Sequence, residues 1–276
     1  MTAALLALLS SAMWGSADYV GGVLSRRRAA LQIAAGSQAI ALIVVWAAAL
    51  ATGTAITGDA VRWGLLAGAS GGLAVMAFYA ALAAGTMGVV APISALGLIV
   101  PVVAGLLAGE RPGGLQLVGI AVAVVGVVLA SGPELSGGAS PRPLLFAGLA
   151  GLGFGLTLLL LAQTDDTLPT LAMMRVSSVS LLGTILIISL RRTPGRRLGV
   201  RELPALAFVG LGDLGANGLF VLASASGLLS VVSVLSSLYP AVTVLLAWRF
   251  GRERLRRIQV AGVATALVGV ILLAGG

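Results

Sequence analysis

Apolar runs, each deep enough to cross a membrane, follow one another along the whole chain and are separated by short polar joins. Cutting at charges, prolines and glycines leaves ten segments, at 3–24, 30–52, 62–84, 88–108, 113–131, 144–163, 168–190, 204–225, 228–248 and 256–275. Each approaches the roughly 20 apolar residues that a helix needs to span a hydrocarbon core. Joins such as Ala84-Gly85-Thr86-Met87 and Ser226-Gly227 are so short that the flanking helices must be antiparallel neighbours. The longest polar stretch, 131–143, is rich in Gly, Ser and Pro and lies near the midpoint, where it reads as a linker.

Composition makes the bilayer the expected solvent. The chain has 276 residues, 59% of them hydrophobic and only 9% charged, against about 25% charged in soluble domains. The net charge of +8 does not point to nucleic acid, because the basic residues form short clusters between apolar runs. All 17 basic residues are Arg, and with the high Ala and Gly content this suggests a GC-rich bacterial source. Cys and His are both absent, which removes disulfides, thiol chemistry and the usual zinc ligands. No metal and no cofactor are expected. The first apolar run begins at once and is followed by Arg26, Arg27 and Arg28, so it reads as a retained span rather than a cleaved signal.

The two halves resemble each other. Glu110-Arg111 recurs as Glu253-Arg254, and from there Gln116, Gly119, Gly126-Val127 and Gly132 match Gln259, Gly262, Gly269-Val270 and Gly275. Upstream, with one residue of slippage, Phe78, Gly85 and Val89-Val90 match Phe220, Gly227 and Val231-Val232. Repetition at this scale signals duplicated architecture. Five spans per half is an odd number, so the second half must be inverted, as in many secondary transporters. The expected fold is an all-α integral membrane protein with ten transmembrane helices as two inverted five-helix repeats, 1–132 and 143–276, joined by a linker at 133–142.

Arg bias orients this arrangement. With both termini outside, the cytoplasmic loops carry Arg26–Arg28, Arg142, Arg191, Arg192, Arg196, Arg197, Arg201, Arg249, Arg252, Arg254, Arg256 and Arg257. The external loops carry only Arg62 and Arg111, with the acidic pair Asp165-Asp166. A bacterial plasma membrane is the expected location.

The turns Gly109-Glu110-Arg111 and Gly251-Arg252-Glu253-Arg254, together with Met13-Trp14-Gly15-Ser16 and Tyr239-Pro240, resemble the EamA-type drug/metabolite transporter superfamily. The resemblance covers nearly the whole chain. It implies alternating access to a central cavity between the halves and a peripheral fifth helix in each. It leaves the substrate open among amino acids, nucleosides, sugars and drugs. The position matching Pro240 is Gly97, with Pro92 and Pro101 nearby, so the bends in helices four and nine are expected to differ.

Polar groups within apolar spans are the candidates for function. Asp18 needs a reason to lie in a span, since a central charge costs about 2.5–3.5 kcal/mol on insertion scales. It binds a proton or a cationic group, or else it pairs with the Arg run that follows. Arg175 and Asp213 lie on antiparallel neighbours and can meet, as an anion site, a gated ion pair or a structural pair. Asn217 shares the Asp213 face, and Gln38 either faces the cavity or bonds to a neighbouring helix. Trp14 and Tyr79 lie deep enough to stack on a substrate, whereas Trp63 and Trp248 suit the interfaces. Pro92, Pro101 and Pro240 free backbone carbonyls that lipid cannot satisfy, which makes them helix-break or gating candidates beside Ser94, Ser236, Ser237 and Tyr239. Glu110 and Glu253 read as helix-start chemistry, and the spaced Gly residues read as close-packing devices.

No nucleotide-binding loop is present. The leading reading is a secondary transporter of a small organic solute, driven by proton coupling at Asp18 or Asp213 or by exchange. The alternative is a polytopic membrane enzyme acting on lipid or isoprenoid substrates. The expected partners are a small-molecule substrate and membrane lipid, with no nucleic acid. One chain suffices to form the cavity, and a homodimer is compatible with it.

Overall fold

The computed structural model describes residues 2–131, 142–192, 198–251 and 257–275. These are helical, with no strand among them. The helices are α1 (Thr2–Ser25), α2 (Ala30–Ala51), α3 (Gly58–Ala84), α4 (Met87–Ala95), α5 (Ile99–Leu107), α6 (Gly114–Ser131), α7 (Arg142–Leu161), α8 (Thr167–Arg192), α9 (Leu203–Ser224), α10 (Leu229–Ser236), α11 (Tyr239–Arg249) and α12 (Arg257–Gly275). Among the described residues, and taking α4–α5 and α10–α11 as continuous rods, eight helices are long and apolar enough to cross a membrane, and α6 and α12 are helices of 18 and 19 residues. Large apolar side chains face outward, including Ile43, Leu107, Leu152 and Ile271. Polar side chains such as Gln38, Arg175 and Asn217 face inward. This is the arrangement that a hydrocarbon solvent selects.

Two spans expected as single helices are broken. A 3₁₀ turn at Leu96–Leu98 separates α4 from α5, and a turn at Ser237 and Leu238 separates α10 from α11. Neither break falls on a proline alone. Pro92 lies inside α4, Pro101 lies in the first turn of α5, and Pro240 opens α11, where its missing N–H costs least. Pro92 cannot bond the carbonyl four residues back, that of Gly88. Gln259 of α12 donates to this carbonyl through Nε2 at 3.2 Å, so the gap is closed within the protein.

Small residues set the helix spacing. A Cβ added at Gly68 would run into the backbone of Met174, and one at Gly210 into that of Ser37, which brings α3 onto α8 and α9 onto α2. Gly97 meets the backbone of Gly151, and Gly155 that of Gly97, while Gly15 lies against Tyr239. At the periphery, Gly126 of α6 packs on Ala266 and Gly269 of α12 packs on Ala123.

The two ends of the bundle are tied differently. At one end Arg28 pairs with Glu202. At the other, Thr57 donates to Asp166 at 2.7 Å. Glu110 corrects an expectation here. It does not start its own helix, which begins later at Gly114. Its carboxylate accepts from the Leu229 and Ser230 N–H groups at 2.6 and 3.0 Å, capping α10. Glu253 lies outside the described residues.

Candidate functional site

A cavity lies at the centre of the bundle, walled by α1, α2, α3, α7, α8, α9 and both broken spans. Neither α6 nor α12 contributes a lining residue. Its free volume is about 50 Å³, room for one or two waters and well below the roughly 300–1,000 Å³ of ligand pockets.

The charged core is built on Asp213, four residues before Asn217 on the same face of α9. Asp213 Oδ1 accepts from Trp14 Nε1 and Asn217 Nδ2, both at 3.0 Å. Oδ2 accepts from Gln38 Nε2 at 3.0 Å and lies 2.9 Å from Arg175 NH2. Three hydrogen bonds, from side chains of α1, α2 and α9, and the Arg175 charge on α8 thus hold the carboxylate. Arg175 is 1% exposed. It donates through NH1 to Gln38 Oε1, which also accepts from Ser178 at 3.1 Å. A buried guanidinium survives only with such partners.

Asp18 presents the opposite case. It lines the same cavity and is half-buried. Among the described residues its carboxylate takes part in no hydrogen bond and no ion pair. The Arg run does not reach it: Arg28 pairs instead with Glu202 from the chain preceding α9. Tyr239 also faces this space. It is 7% exposed, and its hydroxyl has no hydrogen-bond partner. Tyr79 is buried on the α3 wall.

The residues singled out from sequence therefore converge, with qualifications. Trp14, Asp18, Gln38, Tyr79, Ser94, Arg175, Asp213, Asn217 and Tyr239 all line the cavity. Ser94 is satisfied by backbone, donating to the Val90 and Ala147 carbonyls at 3.0 and 3.2 Å. Ser236 corrects its expectation: it ends α10 and is fully buried away from the cavity. The chain turns at the next residue, so Ser237 lines the cavity in its place. The prolines do not line it; they flank the turns that do. Sequence reading missed Phe154, Thr157 and Met174 on the wall. Phe154-Gly155 echoes Trp14-Gly15, and that echo was the available signal.

The model of the EamA-like transporter family matches residues 1–132 and 141–275. No curated protein matches the chain. A solved crystal structure of a protein superposes with a TM-score of 0.75 at 18% identity, over 98% of this chain and 95% of that one, which shows a shared fold. Apolar spanning helices and a family match over nearly its whole length make this a multi-pass membrane protein, and the chain belongs to the EamA-like transporter family.

Proposed function

We propose that the protein is a secondary transporter with ten spans in two inverted five-helix repeats, carrying a small organic solute through the central cavity by alternating access. The observation that carries this reading is the small cavity with a charged centre between the halves of a chain whose helices pack reciprocally.

Reciprocal packing supports the repeat. The offset that relates Gly85 to Gly227 also relates Gly68 to Gly210, and each of these glycines packs on the equivalent helix of the other half. Gly126 against Ala266 mirrors Gly269 against Ala123. Gly155 against Gly97 mirrors Gly15 against Tyr239, so Gly97 corresponds to Tyr239 and Leu98 to Pro240. Gln38 and Arg175 are equivalent residues that touch each other, as groups on a pseudo-two-fold axis must. The double family match supports the same division.

Such symmetry gives a transporter two similar conformations, one open to each side. Opening the cavity to either face requires the broken spans to move against α1 and α7. The flanking prolines Pro92, Pro101 and Pro240 mark where those spans bend. Asp18 and Asp213 are the groups proposed to couple this motion to protons or to exchange. We place the protein in a bacterial plasma membrane with both termini outside, working as a monomer. No observation favours the lipid-enzyme alternative.

The test uses purified protein in liposomes preloaded with a mixture of cationic, anionic and neutral metabolites. Mass spectrometry should find protein-dependent, saturable loss of one chemical class. Equal retention of every solute with and without protein would refute transport. With the transported solute in hand, Asp18→Asn and Asp213→Asn should lower proton-driven uptake. If both keep full uptake, the coupling assignment is wrong.

A further inference from the structure

Resting on the transporter reading, we infer that the cavity selects a monovalent organic cation: a protonated amine on an apolar or aromatic body, held by Asp18 and the Tyr239 hydroxyl.

The charge inventory of the cavity gives the sign. Among its lining residues the charged groups are Asp18, Arg175 and Asp213. Arg175 is ion-paired with Asp213 and donates through NH1 to Gln38. Asp213 is in turn saturated by Trp14, Gln38 and Asn217. Asp18 has no hydrogen-bond or ion-pair partner. With all three ionised, the wall carries one uncompensated negative charge. A charged group at membrane depth needs a partner. The protein supplies one for Arg175 and one for Asp213 and none for Asp18, so Asp18 is the carboxylate left to take a proton or an entering cation.

The hydrogen-bond inventory points the same way. Tyr239 is 7% exposed, lines the cavity and leaves its hydroxyl unbonded. Buried hydroxyls are rarely left so. A hydroxyl can accept from an ammonium group whose charge rests on the nearby carboxylate. Arg175 Nε and NH2 also carry no hydrogen bond, but NH2 lies 2.9 Å from Asp213, so an anion placed there meets the Asp213 charge.

The remaining wall describes the rest of the ligand. Trp14, Tyr79 and Phe154 supply ring faces, and Leu98, Leu158 and Met174 supply aliphatic surface. Ring faces attract cations as well as apolar bodies. In the repeat register that equates Gly15 with Gly155, the position matching Asp18 is Leu158. The other half therefore offers no second acidic site, and a monocation is preferred to a dication.

The experiment measures ligand-induced thermal stabilisation of the purified full chain. The probes are phenethylamine, tryptamine and isopentylamine, each beside its alcohol and its carboxylate analogue. Wild type should bind at least one amine at least tenfold more tightly than the matching alcohol and carboxylate. Asp18→Asn should lose that preference, binding amine and alcohol alike, and Asp18→Glu should keep it. Three results would overturn the inference: a carboxylate preferred by wild type, an undiminished amine preference in Asp18→Asn, or no response to any amine. The wild-type ranking decides even if a variant folds poorly. The mixed-solute efflux assay is blind to charge class, so it can support transport while this ranking rejects amine selectivity.

Discussion

Asp18 and Asp213 are the same residue type on the same cavity, yet their surroundings assign them opposite work. Asp213 receives three hydrogen bonds and the Arg175 guanidinium, while Asp18 receives neither hydrogen bond nor cation. Their substitutions should therefore diverge. Asp213→Asn leaves Arg175 buried without a carboxylate, and stranding a buried charge costs roughly 3–5 kcal/mol. Removing both charges in Arg175→Gln/Asp213→Asn, which keeps an oxygen acceptor for the donors around Asp213, should recover most of that loss. Asp18→Asn removes no partner and should melt at or above the wild-type temperature. Thermal unfolding in detergent reads all three, and a double variant no more stable than Asp213→Asn would contradict the ion-pair account. These carboxylates were legible in the sequence because a charge within an apolar run is conspicuous. Phe154, Thr157 and Met174 were not, because aromatic, hydroxyl and thioether side chains within apolar helices usually serve packing alone. Ser236 and Ser237 could not be separated, because the choice between them depends on a turn whose position the sequence does not mark.

The helices themselves were readable to within a few residues, since the length of each apolar run is set by bilayer thickness. The breaks within the fourth and ninth spans were not. Proline suggested bends, but the turns fall at Leu96–Leu98 and at Ser237 and Leu238, where close packing positions them. Gly97 decides the first of these. A Cβ there would collide with the Gly151 backbone, which cannot rotate away as a side chain can. Gly97→Ala should cost about 1–3 kcal/mol or more through overpacking. Gly148, on the same α7, has open space around it, so Gly148→Ala should be neutral or gain about 0.5–1 kcal/mol from helix propensity. Equal melting temperatures for the two variants would rule out Gly97 as a packing contact. The Glu110 cap was legible only as chemistry and not as connectivity. An acid near a helix start was expected, but the helix it caps belongs to the other half of the chain. Glu110→Ala should lower stability by about 1–2 kcal/mol, and Glu110→Gln, which keeps an acceptor, by less.

At the scale of the whole molecule the ten-span proposal requires that α6 and α12 cross the membrane. Both are apolar helices, of 18 and 19 residues, and the inversion of the second half depends on α6. If α6 crosses, five spans precede the linker and the second half is upside down. If it does not, four spans precede the linker and the halves run parallel. The C-terminus lies on the N-terminal side in both cases, so tagging the ends cannot decide. The linker can, because it changes sides. Two contacts favour crossing. Glu110, before α6, lies against the start of α10, whereas Pro143, after the linker, lies near Gly85 in the join between α3 and α4. Counting spans back from those joins puts them at opposite ends of the bundle. The chain contains no Cys, so one introduced thiol reports without background. Ser140→Cys, in the linker, should resist a membrane-impermeant maleimide on intact cells and react after the membrane is opened. Thr164→Cys, in the acidic join between α7 and α8, should react on intact cells. Labelling of Ser140→Cys from the same side as Thr54→Cys, in the join between α2 and α3, would make the halves parallel and refute the inverted repeat.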